Sequence, residues 1–274
     1  MARPISISRL RLPQGLIFWR EVGYGEALVF LHGSTEDSSQ WLPVIEHLGL
    51  NYHCFAPDLL GFGESEHPDI NYSITWLVET LAEYFAALNL QRFYLVGHSL
   101  GAWVSASYAL KYPEQVMGLI MLSPEGVEFS GYEKRRLWSK FLLGNPPILP
   151  LTLKALLPIA KIFGFQAQIN SYLRCRQLLL ESYTGYQLLF ARHFREIDQE
   201  LLQGDLNWLK TPMLVLQGGK DSLARINQSQ IYAGLCKQAK LRLFHQGGDD
   251  LPVAFPAYVA QEIEDFIQVG RQVA

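Results

Sequence analysis

Gly97, His98, Ser99, Leu100 and Gly101 spell Gly-x-Ser-x-Gly inside YLVGHSLGAWVSASYAL, between an apolar run of strand length and a segment with helical periodicity. A serine on such a turn is a nucleophile elbow: the strained backbone exposes its hydroxyl, and the small flanking residues let strand and helix approach closely. The helix N-terminus also aims amides at any oxyanion that forms there. Upstream, LVFLHGSTEDSSQW ends a strand in His32 and Gly33, and the glycine allows a turn that brings the next amide toward the serine. The N–H groups of Ser34 and Leu100 are the expected oxyanion hole. His32 reads as a hydrogen-bonded support for that loop. His98 reads as structural, because neighbouring residues on an elbow point apart. APDLLGFGES, Ala56 to Ser65, reads as a tight structural loop at the C-terminal sheet edge, where open α/β folds bind ligands.

These residues must be positioned by a sizeable core. With 274 residues, 49% of them hydrophobic and only 18% charged, the chain is globular and not disordered. It is long enough for one large α/β domain with an insertion. A formal charge of −3 without blocks of like charge gives no electrostatic footprint for nucleic acid. Cys54, Cys175 and Cys236 are odd in number and widely spaced, so they fit neither a disulfide framework nor a zinc site and read as small core residues. No metal and no cofactor is expected. The N-terminus alternates as a strand does and lacks the apolar block of a secretion signal, from which a cytoplasmic location is expected.

Strand-length apolar runs alternate with helical segments: EALVFLHG, YHCFAPD, RFYLVGH, VMGLIMLSP, PMLVLQGG and LRLFHQGG, with helices near Ile74–Leu88, Leu100–Lys111, Ile226–Lys237 and Pro252–Val269. This is the rhythm of a parallel sheet with crossover helices. An antiparallel hairpin is expected up to about Gly23. From about Glu125 to Leu209 the rhythm stops and leucine-rich helical sequence takes over. The expected division is a core of 1–124 and 210–274 with a helical cap, or lid, at 125–209. Within the cap, Ile148 to Phe165 is the most membrane-like run, but two lysines interrupt it and Pro150 and Pro158 should break a spanning helix. Two short amphipathic helices packed on the body are expected, with docking on a membrane surface as the alternative and stable insertion excluded.

The HG loop, the DLLGFGES loop, the GHSLGA elbow and the LQGGKDS turn occur in an order that resembles the α/β-hydrolase family, over nearly everything except the cap. The resemblance implies an α/β fold with an eight-stranded, mostly parallel sheet, a lid after the sixth strand, and a triad in the order Ser, acid, His. It assigns the serine to Ser99 and the acid, just past the seventh strand, to Asp221, with Glu125 in LSPEG as the reserve. The family histidine commonly sits in Gly-His-x-x-Pro after the eighth strand. Here that stretch is Gly248-Asp249-Asp250-Leu251-Pro252, so Asp249 occupies the histidine's place. No histidine follows His245, which lies four residues early at the strand end and could serve only if the turn were rebuilt.

A carboxylate with a pKa near 4 is a weak base toward a serine hydroxyl, whereas imidazole is matched to the task. Asp221 and Asp249 are expected to face each other as buried like charges, with one pKa raised. The expected function is therefore a serine hydrolase for a small lipophilic, ester-like substrate, of low activity because Asp249 replaces the base. The leucine-, phenylalanine- and tyrosine-rich cap suggests the lipophilic substrate. The alternative is a noncatalytic binder of a small apolar ligand. Dehalogenase or epoxide hydrolase chemistry is disfavoured, since such relatives place aspartate where this chain has Ser99.

Overall fold

The computed structural model describes residues 3–143 and 146–273. Eight strands form one sheet in the order β1-β2-β4-β3-β5-β6-β7-β8. They are β1 (Ser6–Leu12), β2 (Gly15–Val22), β3 (Ala27–Leu31), β4 (His53–Pro57), β5 (Phe93–His98), β6 (Val116–Leu122), β7 (Met213–Gly218) and β8 (Ala239–Phe244). The expected hairpin is β1–β2, paired antiparallel with Leu12 opposite Gly15, and β2 runs antiparallel to β4. All remaining pairs are parallel. The central strands β3 and β5 are buried along their whole length, as a parallel sheet covered on both faces requires.

The covering helices are α1 (Leu42–Leu48), α2 (Ile74–Ala87), α3 (Leu100–Lys111), α9 (Leu223–Leu235), α10 (Leu251–Ala254) and α11 (Pro256–Val273). Two differ from the sequence reading. Helix α9 starts at Leu223, because Ser222 caps it by accepting a hydrogen bond from Arg225 N–H at 3.4 Å. The final helical stretch is split at Phe255, whose φ of −136° and ψ of 53° are not helical. A residue before proline is pushed out of the helical region, and Pro256 follows. The core lies on the two sheet faces, one cluster around Trp103, Tyr84 and Tyr108, the other around Trp41, Phe30 and Ile263. Cys54 and Cys236 are buried and free, while the Cys175 side chain lies outside the described residues.

Between β6 and β7 the described residues form no strand but α4 (Tyr132–Leu143), α5 (Ile148–Ile162), α6 (Gln166–Glu181), α7 (Tyr183–Tyr186) and α8 (Phe194–Gln199), with short 3-10 and π turns. The expectation of two short helices around Pro158 is corrected here: α5 is continuous through Pro158. Pro158 lies on the solvent side, where water can take the Lys154 carbonyl that loses its partner, so the helix survives. Neither is α5 packed on the body all along, since most of its residues are exposed. Among the described residues, no helix is long and apolar enough to cross a membrane.

Candidate active site

Ser99 sits between the last residue of β5 and the first of α3 with φ 52° and ψ −111°, and is 2% exposed. A left-handed backbone is costly for serine, and it persists because its surroundings fix it. Ser99 N–H donates to Leu122 O at 2.9 Å, Trp103 N–H returns to Ser99 O at 3.2 Å, and Glu125 N–H reaches the same carbonyl at 3.3 Å. The flanking glycines are required by close approach. A Cβ at Gly101 would overlap the carbonyl oxygen of Leu31, and one at Gly97 would overlap the backbone of Ala102. Leu100, as the first residue of α3, carries an amide with no partner inside its helix. Ser34 lies in a turn closed by Glu36 N–H donating to Gly33 O at 3.3 Å.

Two buried histidines tie these loops together. His32 contacts Gly33 O through Nδ1 at 2.8 Å and accepts Leu59 N–H at Nε2 at 3.0 Å, so it is the neutral Nδ1–H form, and burial lowers its pKa. This matches the supporting role read from sequence. His98 accepts from Gln40 Nε2 at Nδ1, 2.9 Å, and its Nε2 donates to Asp249 O at 2.8 Å. It is therefore a rivet between the elbow and the residue-249 turn. Burial, then the Arg225 charge, lower its pKa to about 4, against smaller raising effects of Asp249. The DLLGFGES loop is closed on Asp58, whose carboxylate accepts Ser38 N–H and Glu64 N–H, each at 2.7 Å.

On the opposite side, Asp221 follows β7 and accepts from Gln217 Nε2 at 3.0 Å and from Ser222 N–H at 2.6 Å. Its pKa is raised chiefly by burial, against the lowering effect of Arg225, with Asp249 the smallest contributor. The expected pair of buried like charges is corrected: Asp249 is exposed, because its turn holds to the protein through its backbone carbonyl and leaves the side chain in solvent. His245 is also exposed, one residue past β8, and the described hydrogen bond of the Ser99 hydroxyl comes from another residue.

That residue is Arg225. Its Nη1 donates to Ser99 Oγ at 3.3 Å and its Nη2 lies 3.4 Å from Glu125 Oε1. The guanidinium thus joins the serine to the reserve acid and stands in the field of Asp221. Sequence reasoning missed it, though one signal existed. Arg225 lies in the first turn of α9, where the helix dipole disfavours a cation, so its presence points to partners elsewhere. Gln40, which holds Gly33 N–H at 3.2 Å as well as His98, carried no such signal.

Next to Glu125 a cleft opens between Trp103, Glu125 and Val127 on one side and Leu189, Phe190 and Ile197 on the other. The segment α7 closes over the Gly33–Ser34 loop: Ser182 Oγ donates to Ser34 O at 2.6 Å, and a side chain at Gly185 would overlap that carbonyl. Among the described residues, no three His, Cys, Asp or Glu side chains gather in a way that could hold a metal ion.

A serine strained onto a strand-to-helix turn, on an eight-stranded, mostly parallel sheet, defines the class of the α/β-hydrolase fold. The family model for the alpha/beta hydrolase fold matches residues 26–253, and the chain belongs to that family. Among curated relatives, an uncharacterized protein of Mycobacterium bovis is 33% identical over 146 residues, 53% of this chain and 42% of the relative, so this chain spans less than half its length. Monoacylglycerol lipase ABHD6 of Bos taurus is 23% identical over 89% of this chain and 76% of the relative. Two solved structures share the fold. A thermophilic esterase from Thermogutta terrifontis has a TM-score of 0.72 at 21% identity, over 97% of this chain and 99% of that one. The haloalkane dehalogenase DbeA from Bradyrhizobium elkani has a TM-score of 0.76 at 19% identity, over 99% and 100%.

Proposed function

We propose that this chain is a serine hydrolase scaffold for a small lipophilic, ester-like substrate, with Ser99 as nucleophile and the Ser34 and Leu100 amides as oxyanion hole, whose turnover is suppressed. The observation that carries the reading is the Ser99 backbone at φ 52° on the β5–α3 junction, strain that has no use in a merely structural serine. The helical segment 125–209 serves as the cap, and the apolar cleft beside Glu125 receives the lipophilic part of the substrate. Monoacylglycerol lipase among the relatives agrees with an acyl substrate.

Suppression follows from the groups around the hydroxyl. Asp249 takes the place that the family gives to histidine and points to solvent. Arg225 contacts Oγ, and a guanidinium stabilises an alkoxide but cannot accept the serine's proton. Asp221 would orient an imidazole that this chain lacks. Binding and the oxyanion hole then leave about 10³- to 10⁴-fold catalysis over water.

The second reading, a noncatalytic binder, is favoured by that same Arg225 contact, which gives Ser99 a fixed partner without a proton acceptor. A fluorophosphonate probe and a panel of acyl esters of increasing chain length decide between them. Covalent labelling of Ser99 and a preference for medium chains are expected of the hydrolase; an unlabelled serine, with no ester turned over by this chain or by Asp249→His, belongs to the binder.

A further inference from the structure

Helix α5 is apolar on two opposite faces, and among the described residues the protein covers only one of them. Its inner stripe, Pro150, Leu153, Leu157 and Ala160, recurs at helical spacing and is buried or half-buried. The opposite face carries Ile148, Leu151, Ile159 and Ile162, which a 3.6-residue repeat gathers within about a quarter turn. Ile148 is 66% exposed, Ile159 53% and Ile162 82%, and Phe163 continues the patch at 69%. A helix with a second apolar face beyond the one its own protein covers is suited to a further apolar surface such as lipid. Here 15 residues make about 22 Å of helix, too short to cross a bilayer but suited to lying along its surface.

Charge selects the occupant. From Tyr132 to Glu181 the sequence has eight lysines and arginines against Glu133 and Glu181, a formal +6 in a chain whose total is −3. Helix α5 itself holds Lys154 and Lys161, both exposed, and no acidic residue. The lysines flank the outer apolar face on one side, where they can reach headgroup phosphates while the isoleucines enter the acyl boundary. A second copy of the chain is a poor occupant, because a two-fold contact would oppose one basic face to another. An anionic bilayer surface satisfies both the apolar area and the charge.

We infer that α5 and the Phe163 corner dock this protein peripherally on membranes bearing anionic lipid. The inference goes beyond the proposed hydrolysis and does not depend on it. The experiment is co-sedimentation of the full chain with phosphatidylcholine vesicles, with and without phosphatidylserine. Binding is expected to be at least tenfold tighter with phosphatidylserine present. Ile159→Ser with Ile162→Ser should weaken it by tenfold or more, and Lys154→Gln with Lys161→Gln by about tenfold to thirtyfold on the anionic vesicles alone. All four side chains are exposed, so melting temperature and Ser99 probe labelling should not change, which separates lost docking from misfolding. The inference is overturned if the unaltered chain stays in the supernatant, if it binds both vesicle types equally, or if the apolar substitutions instead dissociate a dimer.

Discussion

The two sides of the candidate site are built by different means. On the elbow side, Ser99, Leu100 and Gly33 are buried, and their geometry is set by backbone hydrogen bonds and by glycines that no side chain could replace. On the acid side, Asp221 and Arg225 are half-buried and each acts through one side chain on the loop or first helical turn after β7, while Asp249, after β8, is exposed and contacts His98 through its backbone carbonyl. Oxyanion-type machinery made of backbone cannot be lost by changing one residue without damaging the fold. Proton transfer depends on one ring, so a single replacement removes it and leaves the scaffold standing. On the proposed reading, that asymmetry permits an elbow that keeps its geometry to face a turn that carries no general base.

The sharpest way to break the contrast is to place an imidazole on the acid side. Asp249→His together with Arg225→Met should raise ester hydrolysis by about 10² to 10⁴, as a regained general base typically does. Asp249→His alone should gain less, because the Arg225 charge that already lowers His98 would depress a new imidazole too. Initial rates on the ester panel measure both, and equal gains from the single and double variants would show that Arg225 is no obstacle. On the other side, Gly101→Ala should cost more than about 3 kcal/mol of stability, since its methyl group meets the Leu31 carbonyl. Denaturant unfolding with a midpoint near that of the parent would show that the elbow is looser than described.

His98 spans both sides and makes the contrast sensitive to pH. Its folded pKa of about 4 lies below the usual 6.5, so the unfolded chain binds the extra proton between those values. The stability it supports is full above pH 6.5 and is lost as pH falls toward 4, by at most about 3 kcal/mol. Asp221, with a raised pKa, works in the opposite direction, its penalty easing as pH falls. His98→Gln should flatten the slope of stability between pH 6.5 and 4; an unchanged slope would assign it to other groups. A smaller effect is expected at Ser99 itself, where glycine relieves the left-handed backbone: Ser99→Gly should raise the melting temperature by a few degrees, about 1 kcal/mol, while abolishing probe labelling. Smallest of all, His245→Ala should leave both stability and any residual hydrolysis unchanged within error, because the ring is exposed beyond the end of β8. A loss of residual hydrolysis would make His245 the base.

Strand and helix order, the hairpin and the strand-to-helix turn at Ser99 were legible in the residues, because they rest on signals that act within a few positions: apolar periodicity, glycine at close approaches, and a motif read at fixed spacing. Helix α3 was read to the residue, Leu100–Lys111, since an elbow fixes its start. What the tertiary structure alone decided depends on which loops meet at the C-terminal edge of the sheet. Arg225 reaches a hydroxyl 126 residues away and His98 a carbonyl 151 residues away, pairings that no local pattern encodes. Asp249 turned outward because its backbone, and not its carboxylate, anchors the turn. Helix α5 ran on through Pro158 because solvent could satisfy the freed carbonyl there, and its second apolar face stays open among the described residues.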